Sequence, residues 1–203
     1  MLFYKTIEPS TLNLLKKIQS ESFFRECRLV GDTSLAMQLG HRKSIDLDFF
    51  GKFEPDSFQI KEILKKIDPI QIIQESKFIF QYIANGVKID FVNYPYEWIS
   101  EKINEDNLVL ASPKDIAAMK LAAITNRGTK KDFIDLFELL GYFSLSEMFD
   151  FYKEKYPDGI PFMTLKSLTW FEDAEEDPMP TMFRDYSWQT VKNRFFAEVR
   201  KLG

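Results

Sequence analysis

Asp46 and Asp48 stand two positions apart in a run of alternating polar and apolar residues. A period of two predicts a strand, so both carboxylates should project from one face while Ile45, Leu47 and Phe49 lie on the opposite, buried face. Two like charges held this close repel each other unless a cation lies between them. Mg²⁺ takes about six oxygen ligands, usually one or two carboxylates together with phosphate and water oxygens. The pair therefore suits a magnesium site; the alternative is an edge strand with two hydrated acids.

A third acid, Asp90, lies on a strand that the sequence predicts clearly. The dipeptide Asn85-Gly86 separates two β-branched and aromatic runs, and it favours a type I′ hairpin turn because both central residues of that turn need a positive φ. On the second run, Asp90 shares a face with Lys88 and Val92. If this strand pairs beside the strand of the aspartate pair, three carboxylates converge, which suits two-metal transfer chemistry. The alternative is an exposed acid on a strand.

Gly31 follows the short predicted strand Arg28–Val30 and opens a short helix. A helix N-terminus binds anions because its first backbone N–H groups have no partner within the helix. The amides of Asp32, Thr33 and Ser34 could therefore face a triphosphate, and the hydroxyls of Thr33 and Ser34 could add donors. A glycine before a helix is common, so this signal is weak by itself.

Two blocks of the sequence follow each other in an order that is typical of one family. The first comprises Leu29–Ala36 and Leu39–Phe50, in which a glycine turn and a short helix precede His-Arg-Lys-Ser-Ile-Asp-Leu-Asp-Phe-Phe. The second comprises Ser112–Leu121, Arg127-Gly128 and Asp132–Leu136. Together they resemble the AbiEii/AbiGii toxin family of the nucleotidyltransferase superfamily. The resemblance implies a polymerase-β-like fold and transfer of a nucleotide.

The resemblance also implies a role for individual residues. It assigns the metal-binding pair to Asp46 and Asp48 and the phosphate-binding turn to Gly31 and Thr33. It assigns the helical lysine that meets the triphosphate to Lys120 and the acid of the last motif to Asp135. Lys120 borders an apolar helix stripe and could extend towards a cleft, with Arg127 further along that edge; the alternative is a hydrated lysine. Asp132 is interpreted as a helix-capping acid, and Asp135 could instead be an acid favoured near a helix N-terminus.

The turn His41-Arg42-Lys43 precedes the aspartate pair. We interpret His41, the only histidine, as structural or phosphate-contacting, and Arg42 and Lys43 as residues that offset nucleotide charge. Asp32 departs from the family, which usually has a second glycine there. Its carboxylate should repel phosphate if it points inward, or it could cap the short helix with the side chain turned away. The sequence leaves both possibilities open.

The surrounding pattern predicts an α+β fold in two domains, with a nucleotidyltransferase-type mixed sheet flanked by helices over residues 1–110 and a helical domain over residues 111–203. Strands are predicted over 45–50, 70–74, 78–83 and 87–92. N-terminal helices are predicted over 10–26, over 32–39 and after Pro55 through about Ile67. Later helices are predicted from Ser112, from Thr129 and over 144–156, 161–172 and 187–201, with a loop over 172–180.

The composition of the 203 residues, 45% hydrophobic and 29% charged, is that of a globular protein. The net charge of −4 argues against a protein that coats nucleic acid by bulk electrostatics. No apolar run reaches the roughly 20 residues of a membrane-spanning helix, and the first residues lack the regions of a secretion signal. A single cysteine, Cys27, excludes an intrachain disulfide framework. We therefore expect no membrane association and a cytoplasmic location.

These features together favour a toxin-like nucleotidyltransferase that uses an NTP with Mg²⁺, two ions being expected. The acceptor would be an RNA, with tRNA favoured, or a protein side chain. The resemblance further implies a separate antitoxin protein as a partner. Two alternatives stay open: a catalytically weak nucleotide- or partner-binding module of the same fold, and a nucleotidyltransferase for small molecules of the antibiotic type.

Overall fold

The computed structural model describes residues 1–52 and 56–202 of the chain, so Pro55, which precedes a predicted helix, lies outside the described residues. The chain forms two compact units. The first comprises Met1–Pro95 and Lys102–Ala111, and the second comprises Tyr96–Glu101 and Ser112–Gly203. Within the described ranges, no helix has the length and apolar character needed to cross a membrane.

A mixed sheet forms the centre of the first unit. Its strands within the described residues are β1 (Arg28–Leu29), β2 (Leu47–Gly51), β3 (Ile70–Glu75), β4 (Ile79–Ala84), β5 (Val87–Asn93), β6 (Ile103–Glu105) and β7 (Leu108–Leu110). Their spatial order is β3-β4-β5-β2-β1-β7-β6. The pairs β2–β5 and β1–β7 are parallel, and the other neighbouring pairs are antiparallel. This mixed sheet with its helices confirms the predicted fold class.

Both units also contain α-helices. The first unit contains α1 (Pro9–Ser20), α2 (Gly31–Leu39) and α3 (Ser57–Ile67). The second unit contains α4 (Pro113–Asn126), α5 (Lys130–Leu139), α6 (Leu145–Lys155), α7 (Pro161–Ser167), α8 (Glu172–Glu175) and α9 (Trp188–Leu202). The two predicted helix starts are confirmed, because Ser112 caps α4 with its side chain and Thr129 forms a capping box at α5.

Some boundaries differ from the prediction. The opening helix, predicted over 10–26, ends at Ser20, and the loop predicted over 172–180 begins with α8. The hairpin of β6 and β7 is not predicted at all. Its turn residues Asp106 and Asn107 have φ of 53° and 62°, a left-handed conformation that Asp and Asn tolerate better than most residues. The Asp106-Asn107 dipeptide before the apolar run Leu108–Leu110 is the signal that could have revealed this hairpin.

The core of the first unit explains how the acids on β2 and β5 are oriented. The rings of Phe49 and Phe91 stack at 5.1 Å between centroids, and Phe24 stacks on Phe91 at 4.4 Å. Burying each of these rings stabilises the fold by about 1.5–3 kcal/mol. Because side chains alternate along a strand, this burial directs Asp48 and Asp90 to the opposite face of the sheet.

The hairpin that carries β5 is confirmed. Asn85 and Gly86 have φ of 50° and 74°, as a two-residue turn with two positive φ values requires. β4 and β5 pair in register on either side of this turn. The position of Asp90 on a strand therefore follows from a local turn signal.

Candidate active site

Three polar side chains form a row across adjacent strands of the first unit. Asp48 on β2 lies directly opposite Asp90 on β5, and Gln81 on β4 lies opposite Asp90 from the other side. Each of the three is half-buried, whereas its neighbours along the strand are more deeply buried. The pairing of β2 with β5, on which convergence of the acids depended, is therefore present, and it brings Asp48 and Asp90 together.

Gly31 lies close to the carboxylate of Asp48. A β-carbon on Gly31 would stand 2.9 Å from Asp48 Oδ2, which is closer than real contacts of this kind. Gly31 also has a φ of +64°, a left-handed value that residues with a β-carbon adopt at a cost. The backbone N–H of Val30 donates to the Asp48 carbonyl oxygen at 2.9 Å, which keeps the start of α2 beside β2. Only glycine fits this position without a shift of the carboxylate.

The pKa of the Asp48 carboxyl group is raised, first by burial and then by neighbouring carboxylates. Burial, followed by the charges of Asp90, Asp32 and Asp46, raises its pKa to about 7, and the nearby ammonium group of Lys88 acts in the opposite direction. Carboxylates that are pressed together in this way favour protonation or a cation. The electrostatics of this face therefore favour a positive ligand near Asp48.

Asp90 has one satisfied and one unsatisfied oxygen. Its Oδ2 accepts hydrogen bonds from Lys88 Nζ at 2.6 Å and from Gln81 Nε2 at 2.8 Å. Its Oδ1 is buried and has no hydrogen-bond partner within the described part of the chain. A buried carboxylate oxygen without a hydrogen-bond partner is costly, and such an oxygen suits a bound cation.

Asp46 is placed differently from the other two acids. It precedes β2 and is exposed, and its neighbour Ile45 is 59% exposed, so the prediction that Ile45 lies on the buried face is wrong. The reason is that the strand begins only at Leu47, where pairing with β5 starts. The strand alternation therefore applies to Asp48 and not to Asp46.

The donor set fits a hard cation that also binds phosphate. As the side chains lie, the described residues contain no group of three His, Cys, Asp or Glu side chains arranged to enclose a metal ion. Asp48 and Asp90 still offer two adjacent carboxylates, one with an unsatisfied oxygen. Mg²⁺ commonly takes one or two protein carboxylates and completes its shell with phosphate and water oxygens. The residues therefore suit an ion that arrives with a triphosphate better than a cage made of protein ligands alone.

Thr33 and Ser34 serve the fold at this site. Both are fully buried. The Thr33 hydroxyl lies 2.8 Å from the Ser44 hydroxyl and hydrogen-bonds to the carbonyl oxygen of Asp46, and the Ser34 hydroxyl accepts from Gln38 Nε2 at 3.0 Å. The geometry therefore gives no support to the predicted contact between these two hydroxyls and phosphate. Thr33 instead holds the turn that carries Asp46.

In the basic turn before β2, Arg42 and Lys43 each form an ion pair within the first unit. Arg42 is 1% exposed, and its Nη2 lies 3.0 Å from Asp32 Oδ2. Lys43 pairs with Glu8 at 2.7 Å on the surface, and His41 is fully buried. The N-cap residue of α2 is Val30, and Asp32 lies in the first turn of the helix. Asp32 is an ion-pair partner of a buried guanidinium.

Lys120 lies in an ion cluster within the second unit. Its Nζ is 2.9 Å from Asp132 Oδ1 and 2.6 Å from Asp135 Oδ2, and all three side chains are buried. Asp132 also accepts from the hydroxyl of Thr129 at 2.6 Å, which confirms its capping role at α5. The alternative of a hydrated lysine is excluded, because Lys120 is buried and two carboxylates of α5 pair with its ammonium group. Arg127 is exposed at the end of α4.

Comparison with known proteins decides the family. The sequence matches the family described as "Nucleotidyl transferase AbiEii toxin, Type IV TA system" over residues 13–201. The chain belongs to the AbiEii nucleotidyltransferase toxin family. It is 34% identical over 195 residues to the uncharacterized protein aq_aa25 of Aquifex aeolicus (strain VF5), covering 92% of this chain and 93% of that protein.

Solved structures support the same fold. The chain is similar to MenT4, a nucleotidyltransferase toxin of Mycobacterium tuberculosis H37Rv, with a TM-score of 0.64 and 19% identity over 94% of this chain and 82% of that one. It is also similar to JHP933 of Helicobacter pylori, with a TM-score of 0.57 and 17% identity over 97% and 93% of the two chains. Family membership and these likenesses of fold make this chain a nucleotidyltransferase.

Sequence reasoning missed two residues beside the acids of this AbiEii family member. Gln81 and Lys88 both donate to Asp90, yet neither was assigned a role from the sequence. The position of Lys88 two residues before Asp90 was a usable signal, because strand alternation places both on one face. Gln81 could be found only from the register of β4 against β5.

Proposed function

We propose that this nucleotidyltransferase moves a nucleotide from an NTP onto a hydroxyl group of an RNA, with tRNA favoured, or of a protein, in the presence of Mg²⁺. The observation that carries the proposal is the row of Asp48 and Asp90 beside Gly31, in which a buried carboxylate oxygen has no partner within the described residues. Bound Mg²⁺ would supply Lewis-acid stabilisation of the phosphoryl charge and would lower the pKa of the acceptor hydroxyl.

Each group of residues then has a defined task. Asp46, Asp48 and Asp90 would hold the metal, and Gly31 would let the backbone of α2 approach the phosphates. The acceptor oxygen forms a bond to the α-phosphorus, the bond from that phosphorus to the bridging oxygen of the β-phosphate breaks, and pyrophosphate leaves. Asp90 would contact the metal on the acceptor side, and its carboxylate is suited to help accept the proton of the acceptor hydroxyl.

Two roles are possible for Lys120 and its partner Asp135, one catalytic and one structural. The family resemblance implies that Lys120 contacts the triphosphate, whereas its burial between Asp132 and Asp135 supports a structural role. A buried ammonium group held by two carboxylates must exchange partners before it can bind a phosphate. The stability of a Lys120 variant distinguishes the two.

A transfer assay tests the proposal. The chain is incubated with each labelled NTP, Mg²⁺ and either total RNA or a cell lysate, and the labelled species is identified. We expect label on RNA or protein, and none with Asp46→Asn/Asp48→Asn. Label transfer that persists in this double variant would contradict the metal assignment. Measurable NTP binding without transfer would favour a binding module, and label on a small compound would favour an antibiotic-type enzyme.

The toxin role is a further part of the proposal, and membership in a family of nucleotidyltransferase toxins supports it. We propose that an antitoxin protein encoded by a neighbouring gene opposes this activity. Expression of the chain alone should arrest growth, and co-expression with the neighbouring gene should restore it. Growth arrest that survives in Asp46→Asn/Asp48→Asn would show that arrest does not depend on nucleotide transfer.

A further inference from the structure

Lys88 is a cation that contacts the acidic row directly, through the carboxylate of Asp90. It lies two residues before Asp90 on β5, on the same face, and its Nζ stands 2.6 Å from Asp90 Oδ2. The Lys88 side chain is 41% exposed and that of Asp90 is 13% exposed. The ammonium group therefore neutralises a mostly buried carboxylate while it keeps access to water, and it can leave without being stranded in the core.

Two donors meet at one oxygen of Asp90. Gln81 Nε2 and Lys88 Nζ both bind Oδ2, so the carboxylate is held with Oδ1 unbound. Gln81 comes from β4, whereas Asp48 lies on the β2 side of Asp90 in the same register. Gln81 is neutral and can keep the carboxylate oriented when the ammonium group withdraws, but Lys88 brings a full positive charge to the place that suits a divalent cation.

We propose that Lys88 is a resident counter-ion of Asp90 that keeps divalent metal from binding until a nucleotide arrives. The inference rests on the proposed function and assigns its regulation to one side chain. A metal ion beside Asp90 and Asp48 would be repelled by the Lys88 ammonium group at short range. A triphosphate contributes negative charge that offsets this repulsion. Metal and nucleotide therefore bind together, and metal alone binds weakly.

Binding of Mn²⁺, which takes the same hard oxygen ligands as Mg²⁺, gives a readout that does not depend on turnover. Free Mn²⁺ is followed by electron paramagnetic resonance with the full chain, with and without a non-hydrolysable NTP analogue. For the natural chain we expect weak binding of Mn²⁺ alone and much tighter binding with the analogue. For Lys88→Met we expect binding of Mn²⁺ alone to tighten about tenfold, because one nearby positive charge is removed at a partly exposed position.

Two further variants separate the charge from other effects. Lys88→Arg keeps the positive charge and should behave like the natural chain. Lys61→Met removes one positive charge elsewhere on the same unit, where Lys61 Nζ lies 3.1 Å from Glu75 Oε2. This variant should leave Mn²⁺ binding unchanged. The thermal unfolding midpoint of each variant checks that it is folded.

Each outcome bears on the inference in a defined way. Equal binding of Mn²⁺ alone by the natural chain and Lys88→Met, with tight binding by both in the presence of the analogue, overturns the inference and leaves the proposed function standing. An equal gain in affinity in Lys61→Met overturns it as well, because the effect would then be one of net charge. Absence of Mn²⁺ binding by every protein with the analogue overturns the proposed function and this inference with it.

Discussion

Oδ2 of Asp48 lies so close to Gly31 that a β-carbon on Gly31 would stand 2.9 Å from it. The glycine begins α2 with a φ of +64°, and the aspartate sits on β2 directly opposite Asp90. Because Gly31 has no β-carbon, it can adopt this backbone conformation and leave room for the Asp48 carboxylate. This contact links the phosphate-binding turn implied by the family to the acid that the sequence singled out.

Gly31→Ala should therefore damage transfer more than stability. The left-handed backbone and the close contact together should lower the free energy of unfolding by about 2 kcal/mol. Displacement of the Asp48 carboxylate should lower the rate of nucleotide transfer about a hundredfold. Urea unfolding and the transfer assay measure the two effects.

Gly86→Ala is the matched control for this strain. Gly86 has a φ of +74°, yet a β-carbon there would meet nothing within 4 Å. The variant should lose about 1 kcal/mol of stability from backbone strain and keep its transfer rate. If Gly31→Ala also kept its transfer rate, close packing of Asp48 on Gly31 would not matter for the reaction.

Asp32→Gly should lower stability without raising activity. Asp32 pairs with the buried Arg42 at 3.0 Å, so its removal weakens the compensation of a guanidinium that is 1% exposed. Since Asp32 is 25% exposed, we expect a loss of only about 1–2 kcal/mol in the free energy of unfolding. Asp32→Asn, which keeps the shape and removes the charge, should lose a similar amount. A strong rise in transfer in Asp32→Gly would show instead that this carboxylate opposes phosphate binding.

Lys120→Met should destabilise the second unit. It leaves the buried carboxylates of Asp132 and Asp135 facing each other without the ammonium group that lies 2.9 Å and 2.6 Å from them. Removal of one partner from a buried ion cluster costs about 3 kcal/mol or more. Equilibrium unfolding in urea measures this loss.

Lys153→Met provides the comparison for Lys120→Met. Lys153 pairs with Asp150 at 3.4 Å on the surface of the same unit, where both side chains are well hydrated. This variant should unfold like the natural chain. If Lys120→Met were equally stable and yet inactive in transfer, the direct contact with the triphosphate that the family resemblance implies would be favoured over a structural role.

Cys27 should resist alkylation in the folded chain. Burial, with a smaller effect from the charge of Glu26, raises its pKa to about 12, so little reactive thiolate exists near pH 8. Iodoacetamide should therefore modify it only after unfolding in urea. Mass spectrometry can follow this site unambiguously, because the chain has one cysteine. Modification of the folded chain at the rate of an exposed thiol would show that the first unit opens locally.

Several elements could be predicted because their cause is local. The Asn85-Gly86 turn, the starts of α4 and α5 and the end of α2 at Leu39, where Gly40 forms the C-cap, all match the prediction. A turn that needs positive φ, or a helix end that needs a cap, depends on residues within a few positions of one another. The type and spacing of these residues are therefore sufficient information.

Other features could not be predicted because their partners are distant in the sequence. Lys120 stands at the border of an apolar stripe, and nothing in that stripe indicates that Asp135 of α5 covers it. The sequence alone leaves the Thr33 hydroxyl available for contact with phosphate. In the structure this hydroxyl is buried and bonds to the carbonyl oxygen of Asp46 in the turn before β2. In both cases a polar group is satisfied by a neighbour that only packing brings close.

The sequence by itself determined the chemical inventory of the site: the aspartate pair, Asp90 on a predicted strand, and a glycine before a helix. Only the tertiary structure decided that Asp48 and Asp90 are neighbours in register, that Asp46 lies outside the strand, and that Lys88 binds the third acid. The physical reason is that alternation along a strand assigns a residue to a face, whereas the choice of the adjacent strand depends on the packing of side chains far apart in the chain.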